Sequence, residues 1–267
     1  MEKKACQMTE FIDLRRYPLD QPKCDTYRGL VAAASNALAE QALYVLPGFL
    51  QADGVRALRE EIRSLEGKAE ARHFWRTPYV FDPPDQNTPD DHPRQRQQEY
   101  ELSYIYGQQL LPDKPIRRVY EWGGLVNFLS AAVGHRLYRS ADPTYDLIVT
   151  LIRTGGIHSW HFDSNEFVVS LMLEPADTGG IFEYVPNLRT ADNEHYKEVG
   201  RLLDGDTRQA VPVPVEAGTL VLFHGHHSMH RVSRVTGQRT RCMVLLSFDH
   251  RPGMTFNNPV LRGGVAT

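Results

Sequence analysis

The sequence is poor in cysteine and has no long apolar segment. Its 267 residues include 3 cysteines, Cys6, Cys24 and Cys242, and no two of them form a C-x-x-C pair. Such a sparse set favours a reducing cytoplasm over a disulfide framework and excludes a zinc site built from thiolates. No stretch approaches the roughly 18 apolar residues of a membrane-spanning helix. No apolar run follows the first lysines, so we expect no secretory signal.

A strong excess of either charge is also missing. Lys and Arg together number 30 and Asp and Glu 33, which gives a net charge of -3 and a pI of about 6.4. This balance gives no electrostatic reason to expect a nucleic acid or an anionic membrane as partner. With 41% hydrophobic and 10% aromatic residues, the chain has enough apolar material for a sizeable core. We expect a cytoplasmic globular protein, and the sequence leaves a homodimer open.

Residues 1–140 are predicted to form mainly helical support and a lid for the core that follows. The alanine-rich residues 28–42 predict one helix, and residues 119–133 predict another. Between them, Asp53 is expected to cap a further helix. Four apolar residues share one face of that helix, at the spacing that packs a helix on a core: Val55, Leu58, Ile62 and Leu65.

Residues 82–98 have an unusual composition. They contain no aliphatic side chain, but four prolines and many charges. A segment of this length without apolar residues is either a disordered loop or a lid over an active site. Composition alone accounts for a disordered loop, so the sequence favours disorder over a lid.

Residues 141–253 have the pattern of a β-rich core. Short apolar runs are separated by turns that contain Gly, Pro or Asn. The predicted strands are 147–151, 167–173, 181–185, 211–215, 220–223 and 241–248. One helix, predicted over 192–203, interrupts them. This order favours a jelly roll with the N-terminal helices packed on it. The predicted fold class is mainly β with α, in a single domain that spans residues 1–267.

Two short motifs carry the residue types of a metal site. His161 and Asp163 flank one residue, and His230 follows 67 positions after Asp163. In a strand, residues i and i+2 point to the same face, so His161 and Asp163 are expected to face the interior, with Phe162 directed outward. His230 precedes a late strand and can supply the third ligand from there. Two imidazoles and one carboxylate form the ligand set of non-haem Fe(II) oxygenases.

The H-x-D motif is weak by itself. A chain with 11 histidines is expected to contain on the order of one such match by chance. His224 and His226 could also compete with His230 as the distal ligand. Only His230 is followed by Arg-Val, so we assign it the ligand role. The other two are expected to lie beside the site or at the surface.

A basic residue on the last core strand completes the pattern. A buried arginine needs a partner, and its planar guanidinium can hold a carboxylate, such as the distal one of 2-oxoglutarate, through two parallel hydrogen bonds. Arg239 and Arg241 have the same parity, so strand alternation does not choose between them. Arg241 leads directly into the apolar run and is preferred, with Arg239 as the alternative. The competing interpretation is an exposed Arg241 that pairs with a surface acid.

Three segments resemble the Fe(II)/2-oxoglutarate dioxygenase superfamily, most closely its branch of free-amino-acid halogenases and related hydroxylases. They are His158-Ser-Trp-His161-Phe-Asp163-Ser-Asn-Glu-Phe167, Gly179-Gly-Ile-Phe-Glu-Tyr184, and the ending from His230 through Arg241 to Phe248-Asp-His-Arg-Pro-Gly253. The resemblance covers about the last 110 residues. It implies a double-stranded β-helix of the cupin-like kind, with Fe(II), 2-oxoglutarate and O2 as cofactors.

The resemblance also suggests a reaction and substrate contacts. The halogenases of that branch have glycine where this chain has Asp163, which vacates a coordination site for chloride. The carboxylate here implies hydroxylation instead. His158 matches a branch histidine near the substrate, with a surface turn as the alternative. Arg76 and Arg96 are candidates for binding a substrate carboxylate and Asp146 for a substrate cation, although each could be a solvated charge.

The expected function is therefore hydroxylation of an unactivated C–H bond of a small molecule, with release of succinate and CO2. Similarity to the branch favours a free amino acid as substrate. Two alternatives stay open. One is an oxygenase that acts on a protein side chain or another metabolite. The other is a non-oxidative, cupin-like isomerase or binding protein.

Overall fold

The computed structural model describes residues 8–79, 88–165 and 167–256. Cys6, residues 82–87 of the proline-rich segment, and Glu166 in the first motif lie outside this part of the chain. Within it, Cys24 and Cys242 are free thiols. Across the same three ranges, no helix combines the length and the apolar character needed to cross a membrane.

Most of the helices precede the core strands. In the described residues the helices are α1 (Asp25–Gln41), α2 (Ala52–Leu65), α3 (Pro115–Glu121), α4 (Gly123–Val133) and α5 (Tyr196–Leu203). The helix predicted over 28–42 is present as α1. Asp53 is not the cap of α2, because the helix begins earlier, directly after Gln51. Asp53 lies in the first turn, where the helix dipole favours negative charge, and pairs with Arg56.

The single helix predicted over residues 119–133 is two helices in the structure. Trp122, between α3 and α4, has extended backbone with φ -65° and ψ 126°, which ends one helix and begins the next. Its indole lies against Gly124, where a Cβ would come within 2.3 Å of the ring. This close approach requires glycine. The apolar face of α4 is as predicted, since Leu125 and Phe128 are buried.

The strands belong to one large sheet and one small ribbon. In the described residues they are β1 (Leu43–Leu46), β2 (Glu70–Arg76), β3 (Gln98–Tyr106), β4 (Tyr138–Arg139), β5 (Leu147–Ile152), β6 (Ile157–His161), β7 (Val168–Glu174), β8 (Phe182–Val185), β9 (Val211–Val213), β10 (Leu220–Phe223), β11 (Met229–Val232), β12 (Arg241–Leu246) and β13 (Phe248–Asp249). The large sheet has the order β1-β10-β7-β12-β5-β3-β6-β11-β8-β9, with β2 paired to β3 off this path. The ribbon pairs β4 with β13. All strands predicted from residue 147 onward are present, with small shifts of their bounds.

The large sheet curls so that strands far apart in its order face each other. Phe182 and Tyr184 on β8 contact the ring of Phe223 on β10, with ring centroids 5.2 and 5.5 Å apart. The Tyr184 hydroxyl also donates to Gln41 O, at the end of α1, over 3.0 Å. These contacts close the sheet into a jelly roll whose interior is lined by one face of each strand.

The sheet also uses strands that precede residue 141. β1, β2 and β3 all pair within it, and β3 joins its two halves. Residues 103–106 of β3 pair with β5, whereas Tyr100 and Glu101 pair with β6. The core strands are therefore not confined to residues 141–253. The edge strand β2 has little apolar alternation and carries Trp75 60% exposed, so local patterning did not indicate it.

Apolar layers cover both faces of the sheet. Residues such as Val149 share the main core with α1, α2 and α4. Alternate residues, among them Met172 and Phe223, line the interior of the jelly roll. A further cluster lies beneath α5 and buries Trp160 and Phe162. Phe162 is thus directed away from the interior, as predicted, but α5 covers it.

The described part of the proline-rich segment packs against α5. The ring of His92 lies 4.4 Å from that of Tyr196, and Arg94 Nε donates to the Tyr196 hydroxyl over 2.6 Å. Polar and ring contacts hold residues 88–97 in place of the apolar contacts that the composition lacks. The preference for disorder is therefore wrong for this part of the segment.

Candidate active site

His161 and His230 are neighbours on paired strands. In the register of β6 and β11 they stand opposite each other, and their ring centroids are 4.1 Å apart. Asp163 follows the end of β6. Its Oδ1 lies 3.6 Å from His161 Nε2, and its Oδ2 lies 3.3 Å from His230 Nε2. The structure thus brings together the three residues that the sequence assigned to a metal site, with one ligand atom of each within 4.8 Å of the others.

Backbone carbonyl groups orient both imidazoles. His161 Nδ1 lies 2.7 Å from Ser159 O, and His230 Nδ1 lies 3.0 Å from Ser228 O. A carbonyl oxygen only accepts hydrogen bonds, so each Nδ1 carries a proton, and in the neutral imidazole each Nε2 then keeps its lone pair. Both lone pairs therefore belong to the nitrogens that lie beside the Asp163 carboxylate, where they can bind a cation.

Strand alternation does not place Asp163, because β6 ends at His161. Instead, the Asp163 N–H donates to Gly225 O over 3.1 Å, which fixes the residue beside the loop after β10. Its Oδ2 is buried and has no hydrogen-bond partner among the described residues. In its neutral form His230 carries its proton on Nδ1, so its Nε2 then offers this oxygen no hydrogen bond. An unpaired buried carboxylate oxygen is costly, so its surroundings suit a cation.

The protonation states of the triad also suit a metal ion. Burial, followed by the proximity of His230, lowers the pKa of His161 to about 3. Burial alone would raise the pKa of Asp163, but His230 and His161 outweigh it and lower this pKa. At neutral pH His161 is therefore neutral and Asp163 is ionised. A metal ion then displaces no proton from either group.

This donor set fits a divalent transition-metal ion. Two imidazoles and one carboxylate leave part of an octahedral coordination sphere open, the arrangement typical of Fe(II) oxygenases. A second group of His and acidic residues occurs in the described part of the chain, at His73, Glu99 and Glu101. It is more exposed, and Arg234 already pairs with Glu99. The buried triad is therefore the candidate metal centre.

Arg241 is buried inside the jelly roll, whereas Arg239 is exposed. Arg241 opens β12 on the same face as Met243, which lines the interior, and is only 1% exposed. Within the described residues its Nε has no hydrogen-bond partner, and Nη2 lies 3.7 Å from the Met243 sulfur. Burial lowers the pKa of Arg241 to about 10. Arg239 precedes the strand and donates through Nε to Pro175 O.

Arg241 borders a cavity of about 390 Å³. The walls come from residues 175–182 and from residues 213–216. Gly180 lies beside the arginine stem, where a Cβ would come within 3.3 Å of Arg241 Cδ. The interpretation of Arg241 as an exposed residue paired with a surface acid is therefore wrong. A buried cation beside a cavity of this size fits one carboxylate of a small dicarboxylic acid.

His158 lies beside the triad because of a β-bulge. The register between β6 and β11 shifts, so His158 pairs with Val232 although His161 pairs with His230. The extra residue turns His158 to the same face as His161, and their rings stack with centroids 4.3 Å apart. Burial, and then the nearby His161 and His230, lower the pKa of His158 well below its usual value. A neutral imidazole therefore borders the candidate metal centre, which disfavours a surface turn.

Arg76, at the end of β2, lies over an aromatic wall next to His158. Its guanidinium carbon is 4.4 Å from the Phe74 ring centroid and 5.3 Å from that of Tyr100. The Tyr100 ring in turn contacts His158 and His161, with centroids 5.4 and 6.0 Å apart. Burial lowers the pKa of Arg76. Two of the predicted substrate contacts, His158 and Arg76, are thus grouped beside the triad.

The structure does not bring Arg96 and Asp146 to the triad. Arg96 Nη1 lies 2.7 Å from Asp204 Oδ1, just after α5. Asp146 pairs with Arg117 of α3, and both side chains are largely buried. Asp146 also precedes the first residue of β5, whereas Ile152 at the other end of that strand is the register partner of Arg241. Ion pairs with the protein therefore occupy both residues.

Three residues beside Asp163 were not singled out for this role from the sequence. Gly225 lies directly against the Asp163 side chain. His226 Nδ1 lies 3.1 Å from Asp163 O, and Arg189 Nε donates to His226 O over 2.6 Å. The one feature of the sequence that could have indicated these contacts is the glycine within the histidine-rich stretch that begins at His224. Nothing local shows that this stretch folds against Asp163.

Comparison with known families gives a match over most of the chain. A family model described as Halogenase D matches residues 27–256. A search of curated proteins finds no significant match. The matched range includes the described helices apart from the first two residues of α1, the strands of the sheet, the triad and Arg241.

Solved structures share the fold at low sequence identity. The epimerase SnoN from nogalamycin biosynthesis, solved with Fe3+, alpha ketoglutarate and nogalamycin RO, is 16% identical with a TM-score of 0.59, covering 83% of this chain and 84% of its own. A prolyl-4-hydroxylase from Pseudomonas putida is 17% identical with a TM-score of 0.51, covering 81% and 97%. HygX from Streptomyces hygroscopicus, with nickel and 2-oxoglutarate bound, is 14% identical with a TM-score of 0.56, covering 81% and 85%. These likenesses confirm the predicted jelly roll.

Proposed function

The chain belongs to the halogenase D family, within the Fe(II)/2-oxoglutarate dioxygenase superfamily, and we propose that it hydroxylates a small molecule. The superfamily expected from the sequence motifs is confirmed. The chain is an enzyme of the oxygenase class, whose cofactors are Fe(II), 2-oxoglutarate and O2. The proposed reaction converts an unactivated C–H bond into C–OH and releases succinate and CO2. The proposed substrate is a free amino acid.

The Asp163 carboxylate between two imidazoles is the observation that supports hydroxylation as the reaction. The halogenases that the sequence resembles have glycine at this position, which leaves room for chloride on the metal. Here the Asp163 oxygens lie 3.6 and 3.3 Å from His161 Nε2 and His230 Nε2. With this carboxylate as a third ligand, chloride loses its place. Hydroxylation is then the expected outcome, although the family is named for halogenation.

In this proposal His161, Asp163 and His230 hold Fe(II), which together with 2-oxoglutarate and O2 supplies the oxidising chemistry when bound. Arg241 binds the distal carboxylate of 2-oxoglutarate. Its burial strengthens a charge-assisted hydrogen bond, because no water competes for the guanidinium. The Phe223 ring lies 4.8 Å from the His230 ring and shields that side of the site from solvent.

On the substrate side, the proposal uses His158 and Arg76. The neutral His158 ring stacks on His161, and the Arg76 guanidinium lies over Tyr100, which contacts both imidazoles. A guanidinium and a neutral imidazole together can bind the carboxylate of a free amino acid. Arg96 and Asp146 do not enter the proposal, because ion pairs hold them elsewhere.

A protein side chain is the second candidate substrate. The prolyl-4-hydroxylase from Pseudomonas putida shares the fold with this chain over 81% of its length. The fold also occurs in SnoN, an epimerase, so the architecture alone does not select the substrate or the reaction. A peptide panel therefore belongs in the test.

The test is a succinate-release screen with Fe(II), 2-oxoglutarate and O2 across free amino acids and peptides, with and without chloride. We expect one or a few amino acids to stimulate succinate release and to gain one oxygen atom, measured by mass spectrometry. Chloride should leave the product unchanged. Asp163→Ala should abolish coupled hydroxylation, whereas the exposed Asp20→Ala serves as a matched control and should behave like the wild type.

The possible outcomes separate the candidates. Stimulation by peptides alone would favour the second candidate. A chlorinated product, or normal hydroxylation by Asp163→Ala, would contradict the role of Asp163. If Fe(II) and 2-oxoglutarate mixed anaerobically with the protein give no visible charge-transfer band, a non-oxidative function would replace the proposal.

A further inference from the structure

We infer that Gly225 determines whether residue 163 can supply a carboxylate to the metal centre, an inference that rests on the proposed function. Gly225 is buried in the loop between β10 and β11. A Cβ at this position would lie 1.8 Å from Asp163 Oδ2, 2.7 Å from Cγ and 3.0 Å from Cβ. Contacts under 3.0 Å are essentially never seen for real Cβ atoms. A side chain at 225 and the observed Asp163 conformation therefore exclude each other.

The Asp163 side chain, rather than the backbone, would give way. The three atoms nearest to a Cβ at 225 all belong to that side chain. The backbone around it is tied, because the Asp163 N–H donates to Gly225 O over 3.1 Å. Arg189 Nε donates to His226 O over 2.6 Å and holds the next residue of the loop. Rotation of the aspartate side chain away from the histidines is thus the least costly response.

His226 adds a second constraint on the same segment. Its Nδ1 lies 3.1 Å from Asp163 O and 3.2 Å from Arg189 Nη2. A neutral imidazole nitrogen serves one of these partners at a time, but the Arg189 bond to His226 O holds in either case. The residue after Gly225 is therefore held in both cases, and the Asp163 N–H bond to Gly225 O ties the main chain of Asp163 to this loop while its carboxylate is displaced.

Displacement of the carboxylate would leave a centre with two imidazoles and one more open position. The halogenases that the sequence resembles reach the same ligand set through glycine at the position of Asp163. Gly225 thus acts on the reaction type without touching the metal. It is a positioning residue, since its effect passes through Asp163.

The experiment measures Ni(II) affinity by isothermal titration calorimetry, which requires no turnover. Four proteins are compared: wild type, Gly225→Ala, Asp163→Gly, and the double variant. Gly225→Ala should weaken Ni(II) binding about tenfold to a hundredfold, the range typical when the support of a metal ligand is lost. In the Asp163→Gly background the same change should alter the affinity by less than about twofold, because the atoms that clash are gone.

The matched control is Gly67→Ala, because a Cβ there meets no atom within 4 Å. It should bind Ni(II) like the wild type. Wild-type affinity in Gly225→Ala, while Asp163→Gly loses binding, would overturn the inference and leave the proposed function intact. Full affinity in Asp163→Gly would instead refute Asp163 as a ligand and with it the proposed function. If Gly225→Ala unfolds and the double variant unfolds too, the clash does not act through Asp163 and the inference fails.

Discussion

Arg241→Met is expected to change the stability of the protein and its binding of 2-oxoglutarate in opposite directions. Arg241 is 1% exposed, and its Nε has no partner in the described part of the chain. Burial lowers its pKa from 12.5 to about 10, which corresponds to about 3 kcal/mol against the charged form. Methionine has a similar length and no charge. Without 2-oxoglutarate, the variant should therefore be more stable by up to about 3 kcal/mol, less any loss of packing.

The affinity for 2-oxoglutarate, in contrast, should fall in Arg241→Met. At a hundredfold excess over Kd, the cosubstrate should stabilise the Ni(II)-loaded wild type by about 2.7 kcal/mol, or roughly 5–10 °C in Tm. In Arg241→Met the distal carboxylate would be buried without a cation, which costs about 2–5 kcal/mol. This corresponds to a loss of at least about thirtyfold in affinity. Thermal unfolding with and without 2-oxoglutarate measures both effects in one assay.

Arg239→Met is the matched control. Arg239 is exposed and bonds to Pro175 O, so its loss should leave the thermal shift by 2-oxoglutarate unchanged. A full thermal shift in Arg241→Met would refute the role of Arg241. A shift lost only in Arg239→Met would transfer the role to that residue. A large fall in stability of Arg241→Met without cosubstrate would contradict the estimate of a destabilising buried charge.

Two further predictions concern residues that are not ligands of the candidate metal centre. Asp146→Asn leaves the buried Arg117 without its anion, so the variant should unfold about 3 kcal/mol more easily in urea, with an unchanged KM for substrate. A raised KM at wild-type stability would restore Asp146 as a substrate contact. His224→Gln should flatten the loss of stability in acid. Burial, and then the nearby His227, lower the pKa of His224 from 6.5 to about 4. Between pH 6.5 and pH 4 the unfolded chain therefore binds more protons than the folded protein, and stability falls as pH falls. Between pH 7 and pH 5 the free energy of unfolding should fall by on the order of 1 kcal/mol less in the variant than in the wild type, after allowance for partial exposure. An equal dependence of stability on pH in both proteins would contradict the lowered pKa of His224.

Local sequence patterns were sufficient for the six strands predicted from residue 147 onward and for proposing the members of the triad. β5, β7, β10 and β12 are short apolar runs bounded by turn residues, and such runs indicate strands without knowledge of their partners. His161, Asp163 and His230 could be proposed as a set because few residue types bind iron, and their motifs carry those types. The assignment of the chain to its superfamily rested on the segments around these motifs and on residues 179–184.

Elements stabilised by distant partners could not be predicted in this way. β2 is an edge strand whose pairing with β3 spans the proline-rich segment, and its own sequence lacks clear alternation. The break at Trp122 depends on the contact of its indole with Gly124. The order of residues 88–97 depends on contacts with α5, which lies about a hundred residues further along the chain. In each case the deciding contact is remote in sequence or depends on the conformation of a single side chain.

The sequence by itself determined which residue types were available for a metal, a cosubstrate and a carboxylate-bearing substrate. Only the tertiary structure decided which of them meet. Arg239 and Arg241 are equivalent by parity, yet β12 begins at Arg241 and only that residue enters the interior. A bulge, invisible in the sequence, turns His158 toward His161, and Gly225 became significant only when its loop was seen against Asp163. The physical reason is that alternation acts over a few residues, whereas burial and strand register are set by pairings across the whole chain.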